Sequence, residues 1–179
     1  MSHNTLVPRQ ATPTFKVETL DDTAWRSDKH AEAFMIMIVF YRGLHCPVCS
    51  RYLASLENLM PEFRSRGVEV IAVSSDVRER AERARGDWKL ETLQIGYGLR
   101  LETAREWGLF ISAGKGKSSL GIEEPAEFSE PGLFLLKPDG TLYASSIQTM
   151  PFARPAFQDV LQAIDFIKKN DYPARGERM

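Results

Sequence analysis

The pattern of apolar and polar positions predicts a sheet with buried central strands. The runs 34–42 (FMIMIVFYR) and 68–73 (VEVIAV) are apolar at nearly every position, which indicates strands covered on both faces. Residues 13–20 (PTFKVETL) alternate apolar and polar side chains, as a half-buried strand does. A short strand is predicted over 92–99. Residues 133–147 form a predicted hairpin that turns at Pro-Asp-Gly.

Helical spacing alternates with these strands. Apolar residues recur every three or four positions over 53–63, and Pro61 predicts a kink or an end there because it lacks a backbone N–H. A charged helix is predicted over 76–90, a short one up to Trp107, and a last one whose first residue is Pro155. The order predicts an α/β fold with a central mixed sheet and helices on both faces.

The length of 179 residues suits one domain, predicted over 13–169. Residues 1–12 are predicted to be a flexible N-terminus, and residues 170–179 a polar C-terminal tail. The segment 109–131 is rich in Gly, Ser and Glu and is predicted to be irregular; it is also a candidate lid or partner surface.

Charge and composition exclude several classes of function. A net charge of −1 argues against a nucleic-acid partner, and no apolar run is long enough to span a membrane. The first ten residues contain no apolar signal segment, and two cysteines are too few for a secreted disulfide framework. These observations predict a cytoplasmic protein.

The candidate chemistry lies in residues 41–49 (YRGLHCPVC), between the first long strand and the first helix. Cys46 is predicted to lie at the helix N-terminus, with Pro47 as the first helical residue, so that the backbone dipoles stabilise a Cys46 thiolate. Arg42 and His45 are predicted to add positive potential. Cys49, one turn further on, would resolve the mixed disulfide that Cys46 forms.

Other readings of the cysteine pair are weaker. A zinc site needs four ligands, and the chain offers three histidines besides its two cysteines but no second cysteine pair, so no metal or other cofactor is predicted. A metal shared between subunits is the alternative. A static disulfide would close only a very short loop. A chance occurrence of the spacing remains an alternative.

Residues 40–53 (FYRGLHCPVCSRYL) resemble the active-site region of thioredoxin-like proteins, and in particular the peroxiredoxin-like AhpC/TSA family. Residues 13–15 are similar to the Pro-x-Phe start of that superfamily, and residues 131–140 to its late hairpin. The resemblance covers about 13–168. It implies a thioredoxin-like fold with an N-terminal strand extension.

The resemblance also implies a role for Pro131. In thioredoxin-like proteins a cis-proline at this place faces the cysteine pair and exposes the preceding backbone, here that of Glu130, to the substrate. The alternative is an ordinary loop proline. Glu130 is also a candidate proton acceptor for Cys49, because the buried aspartate of thioredoxin is replaced here by Phe40; the alternative is a solvated member of the acidic loop 123–130.

The chain departs from the peroxiredoxin pattern at three places. Peroxiredoxins have Pro and Thr seven and three residues before the reactive cysteine, where this chain has Val39 and Gly43. Their late-strand arginine would fall near Pro131 and is missing. Arg42 or Arg154 are the candidates to replace its charge.

The sequence therefore predicts an enzyme, a thiol–disulfide oxidoreductase in which Cys46 attacks and Cys49 resolves. The alternative is a peroxiredoxin-like thiol peroxidase that acts through Cys46. A non-enzymatic redox sensor is the third reading. The predicted partners are a protein or small-molecule disulfide, or a peroxide, and a thiol reductant such as a thioredoxin or glutathione system. The resemblance also implies that the chain can form a homodimer.

Overall fold

The structure is a computed structural model, which describes residues 5–178. Its strands and helices follow the predicted alternation. In chain order they are β1 (Lys16–Thr19), β2 (Ala24–Arg26), β3 (Met35–Phe40), α1 (Pro47–Ser65), β4 (Val68–Val73), α2 (Arg78–Asp87), β5 (Gln94–Tyr97), α3 (Leu101–Glu106), β6 (Ile111–Ala113), β7 (Glu127–Ser129), β8 (Gly132–Leu136), β9 (Leu142–Ile147) and α4 (Phe157–Asn170).

Seven strands form one mixed sheet in the order β2-β1-β5-β4-β3-β8-β9. β3, β4 and β5 are parallel, as their helical crossovers require, whereas β8 is antiparallel to β3 and β9 to β8. The β1–β2 hairpin extends the opposite edge. The predicted α/β fold with a mixed sheet and an N-terminal strand extension is confirmed.

Each face of the sheet has its own hydrophobic core. Side chains alternate along β3, so that its odd-numbered residues belong to one core and its even-numbered residues to the other. The first core packs against α1, α2 and α4, with Met37, Leu53, Leu56, Phe63, Ala84 and Ile164 among its members. The second packs against α3 and the N-terminal hairpin, with Phe15, Trp25, Ile38, Phe40, Ala104 and Trp107. The helices therefore lie on both faces, as predicted.

Pro61 does not end its helix, because α1 continues to Ser65. A proline inside a helix costs about 3 kcal/mol. Burial of Leu56, Met60 and Phe63 on the core face of α1 contributes roughly 1.5–3 kcal/mol for each side chain, which outweighs that cost.

Two further boundaries differ from the sequence-based ones. The segment 109–131 contains β6 and β7, which pair with each other as a separate two-stranded sheet. Three-residue strands are too short to show an apolar periodicity. The last helix begins at Phe157 with Ala156 before it, so Pro155 lies outside the helix, and its carbonyl accepts a hydrogen bond from the Tyr52 hydroxyl over 2.7 Å.

The chain ends contact the sheet edge near β9. Residues 1–4 of the segment predicted to be flexible lie outside the described residues. The N–H of Arg9 donates to the carbonyl of Leu142, and the N–H of Thr12 donates to that of Gly140. Arg9 Nε also donates to the carbonyl of Ala174 in the predicted C-terminal tail, over 2.9 Å. The predicted domain limits themselves stay predictions.

The core face of α1 is testable by substitution. Leu53 is fully buried, one turn after Cys49, so Leu53→Ala should lower the free energy of unfolding by about 2–5 kcal/mol in urea denaturation. Asn58→Ala, on the exposed side of α1, is the control and should change it by less than about 0.5 kcal/mol. Equal losses would contradict this assignment of the helix faces.

Candidate active site

Cys46 lies immediately before the first turn of α1. Residues 41–46 connect β3 to the helix, and Pro47 is its first residue, as predicted. The N–H of Cys49 donates a hydrogen bond to Sγ of Cys46 over 3.2 Å. The sulfur therefore satisfies an N–H group of the first turn that a Ser or Asp oxygen usually satisfies.

The two thiols have pKa values shifted in opposite directions. A hydrogen bond from the Cys49 thiol lowers the pKa of Cys46 to about 7; the Cys49 N–H and the charges of Arg42 and Arg154 lower it too, against the effect of burial. Burial raises the pKa of Cys49 well above its usual range, and the neighbouring Cys46 sulfur raises it further. At neutral pH the Cys46 thiol therefore ionises more readily than the Cys49 thiol, which keeps its proton.

Arg154, in the loop before α4, contacts Cys49. Its Nη2 lies 3.6 Å from Cys49 Sγ, and its Nε donates to the carbonyl of Pro151 over 2.9 Å. The guanidinium also lies over the Tyr52 ring, 4.1 Å from its centroid. The hydrogen bond to Pro151 and the stacking on Tyr52 hold the positive charge of Arg154 beside the cysteine pair. The predicted tuning role of Arg154 is consistent with this position.

Arg42 and Glu130 form a pair beside the site. Nε of Arg42 lies 3.3 Å from Oε2 of Glu130, and its guanidinium covers the Phe128 ring at 4.7 Å. The other Glu130 oxygen accepts a hydrogen bond from the Ser112 hydroxyl over 2.5 Å. The Glu130 side chain is 4% exposed, so the alternative of a solvated acidic residue is wrong. Its role as a proton acceptor stays a prediction.

His45 is buried and uncharged at neutral pH. Its ring contacts that of Phe128, with centroids 4.6 Å apart, and its Nδ1 lies 3.5 Å from Nη2 of Arg80. Burial lowers the pKa of His45 to about 4. The expectation that His45 adds positive potential at neutral pH is therefore wrong, because desolvation favours the neutral ring.

The predicted cis bond between Glu130 and Pro131 is also wrong, since residues 5–178 contain no cis peptide bond. The N–H of Glu130 donates to the carbonyl of Phe110 over 2.7 Å, and the carbonyl of Pro131 accepts from Gln148. These backbone groups are therefore not free to pair with a substrate chain. Pro131 still lies near the site, because it lines a small cavity together with Arg154.

The sequence reasoning missed Asp76 as a residue of the site. Its buried carboxylate accepts the N–H of Leu44 over 2.7 Å and Nε of Arg80 over 2.8 Å. Gly43 has a φ of +130°, and a Cβ there would lie 2.6 Å from Oδ2 of Asp76. Asp76 thus occupies the space that a side chain at position 43 would need. A signal existed: Asp76 follows a buried parallel strand, where functional side chains collect.

Within the described residues, no group of three or more His, Cys, Asp or Glu side chains is placed to hold a metal ion. In the same part of the chain, none of the helices combines the length and the apolar character that crossing a membrane requires.

A dithiol at a helix N-terminus on a thioredoxin-like α/β fold defines a thiol-dependent oxidoreductase. The model of the AhpC/TSA family matches residues 8–145, so the chain belongs to that family, which is peroxiredoxin-like. Family membership supports an enzyme over the non-enzymatic reading.

Solved peroxiredoxin structures share this fold at low sequence identity. Peroxiredoxin 6 of Arenicola marina is 18% identical with a TM-score of 0.71, over 92% of this chain and 74% of that one. AhpC of Mycobacterium tuberculosis is 17% identical with a TM-score of 0.71, over 92% and 99%. A yeast mitochondrial 1-Cys peroxiredoxin is 16% identical with a TM-score of 0.71, over 93% and 78%. The search of proteins with curated functions finds no match.

The pKa of Cys46 is directly testable. Ultraviolet absorbance of the thiolate in the reduced protein should titrate with a midpoint of about 7. Cys49→Ala should move this midpoint upward, because it removes the thiol hydrogen bond that most lowers the pKa. Cys46→Ser is the control, and its absorbance should show no titration with a midpoint of about 7. A wild-type midpoint at the ordinary value of about 8.5 would contradict the predicted activation.

The conflict between Asp76 and a side chain at position 43 gives a second test. Gly43→Thr restores the residue type of peroxiredoxins, yet it should lower the free energy of unfolding by more than about 2 kcal/mol and give no gain in peroxide turnover. Gly98→Thr is the matched control. Gly98 also has a positive φ, of +68°, but a Cβ added there would meet no atom within 4 Å. A faster peroxidase from Gly43→Thr would refute this reading of Asp76.

Proposed function

We propose that this protein is a thiol–disulfide oxidoreductase in which Cys46 attacks a disulfide and Cys49 resolves the intermediate. The observation that carries the proposal is the pairing of the two cysteines on the first turn of α1. The Cys46 sulfur accepts the N–H of Cys49 over 3.2 Å, and the pKa values of the two thiols move apart. The Cys46 thiol thus ionises readily and can attack, whereas the Cys49 thiol stays protonated until the second step.

The proposed reaction balances as an exchange of sulfur–sulfur bonds. The Cys46 thiolate forms a bond to one sulfur of the substrate, the substrate disulfide breaks, and the leaving thiolate takes a proton. Cys49 then loses its proton and bonds to Cys46, which releases the second substrate thiol. The two electrons come from the dithiol, and an external thiol reductant restores both cysteines.

Arg154 supports the second step. Cys49 must ionise to resolve the intermediate, although burial opposes its ionisation. The guanidinium of Arg154, 3.6 Å from Cys49 Sγ, offers a positive charge to the thiolate as it forms. This contact also favours Cys49 as the leaving group when the enzyme disulfide is reduced.

Thiol peroxidase activity is the second candidate. Family membership favours it, and Cys46 is only 1% exposed, which suits an oxidant as small as a peroxide. Two observations speak against a fast peroxidase. No hydroxyl is present at position 43, where the Asp76 carboxylate fills the space, and Arg42 is already paired with Glu130.

The reductant and the compartment belong to the same proposal. The printed description of the yeast 1-Cys peroxiredoxin names glutathione and thioredoxin systems for its thiol resolution, and a thiol reductant of either kind fits the CPVC pair here. A reactive cysteine pair without a wider disulfide framework suits the reducing cytoplasm. A homodimer stays a prediction.

Turnover with dithiothreitol separates the two activities. We expect the protein to accelerate the reduction of 2-hydroxyethyl disulfide far more than the consumption of hydrogen peroxide, each measured against the reaction without protein. Cys46→Ser should abolish both activities. Cys49→Ser should trap substrate on Cys46 as a mixed disulfide, visible as added mass on the intact protein.

Two outcomes would count against the primary proposal. Disulfide turnover that persists in Cys46→Ser removes Cys46 as the nucleophile. Rapid peroxide turnover without disulfide turnover, together with a sulfenic acid trapped on Cys46 in Cys49→Ser, assigns the protein to the peroxidases.

A further inference from the structure

A cavity of about 610 Å³ is lined in part by Arg42 and Glu130, the ion pair beside the candidate active site. Its volume lies in the usual range for small-molecule sites. One wall is formed by Arg42, Ser112 and Glu130, and the facing wall by residues 149–152. Lys115 and Glu124, from the segment between β6 and β7, complete it.

Two residues that line this cavity, Arg42 and Pro151, are linked to the cysteines. Arg42 lies four residues before Cys46, and its charge acts on the Cys46 sulfur. On the other wall, the carbonyl of Pro151 accepts the hydrogen bond of Arg154, whose guanidinium contacts Cys49. A molecule bound in the cavity therefore contacts residues that act on the reactive pair, either directly, as Arg42 does, or through Arg154.

The charges of the cavity are balanced. Arg42 and Glu130 neutralise each other at 3.3 Å. The side chain of Lys115 is exposed, and Glu124 is half-buried and accepts the backbone N–H of Lys115 over 2.8 Å. One cation and one anion thus remain for a ligand. A ligand with charges of one sign only would meet a like charge at Lys115 or Glu124.

The facing wall supplies an apolar surface. Met150 and Phe152 are 54% and 56% exposed, which is unusual for side chains of this size next to a polar site. They suit the carbon chain of a ligand whose ends are charged.

On the basis of the proposed function, we infer that this cavity binds a small zwitterionic disulfide of the amino-acid type. Its carboxylate lies at Lys115, its ammonium group at Glu124, and its carbon chain against Met150 and Phe152. A protein disulfide fits less well, because Cys46 is 1% exposed and a folded partner cannot enter a cavity of this size.

The test compares disulfides that differ in charge. Cystine is zwitterionic, 2-hydroxyethyl disulfide neutral, 3,3′-dithiodipropionate anionic and cystamine cationic. Insulin, with its disulfides intact, is the protein substrate. Each kcat/KM is divided by the rate of the same disulfide with dithiothreitol alone, because the pKa of the leaving thiol changes intrinsic reactivity. We expect cystine to exceed each of the other substrates by about 10-fold, the effect of one or two charge-assisted contacts.

Substitutions then test whether Lys115 and Glu124 cause the preference for cystine. Lys115→Gln and Glu124→Gln should each reduce the preference for cystine over 2-hydroxyethyl disulfide by about 5-fold, through the KM for cystine. Lys117→Gln is the matched control, an exposed lysine of the same segment that does not line the cavity, and should keep the preference intact.

The outcomes separate this inference from the proposed function. Equal normalised rates for all small disulfides, or a preference for insulin, would overturn the inference while disulfide turnover itself persists. A preference for cystine that Lys115→Gln and Glu124→Gln leave unchanged would place the ligand elsewhere and overturn it too. No turnover of any disulfide, including 2-hydroxyethyl disulfide, would remove the proposed function and the inference with it.

Discussion

The hydrogen bond from the Cys49 N–H to the Cys46 sulfur is the interaction on which the site depends. It exists because α1 begins directly after Cys46, so that the first turn directs its unpaired N–H groups at that sulfur. The helix is held there by its apolar face: Leu53 and Leu56 are fully buried against the sheet. The reactivity of the Cys46 thiol is thus tied to the burial of side chains about two and three turns further along the chain.

Asp76 explains how a member of the AhpC/TSA family has departed from the peroxiredoxin pattern. Its carboxylate binds the backbone at Leu44 and fills the space that a side chain at Gly43 would need. The loop before Cys46 is therefore held by the Asp76 carboxylate, which forms a partly buried ion pair with Arg80. The scaffold keeps a thiolate at the helix N-terminus, while the groups that would activate a peroxide are exchanged for others. Fold and family therefore define the nucleophile more closely than they define its substrate.

The surroundings of the cysteines are assembled from distant parts of the chain. Arg154 reaches Cys49 across more than one hundred residues of sequence, and Glu130 reaches Arg42 from the segment that follows β7. Each contact has a local cause, such as the stacking of Arg154 on Tyr52 or of Arg42 on Phe128. Together they place two arginines near the dithiol, and one carboxylate against Arg42.

The sequence by itself determined the alternation of strands and helices, the mixed sheet and the position of Cys46 before α1. These features follow from apolar periodicity and from the chain's short-range geometry, which local residues specify. Only the tertiary structure decided the trans bond at Pro131, the neutral His45, the buried Glu130 and the place of Asp76. Protonation and burial depend on which distant groups surround a side chain, and a trans or cis proline bond differs by only about 1 kcal/mol before those neighbours act. The spacing of residues along the chain carries no information about these distant neighbours.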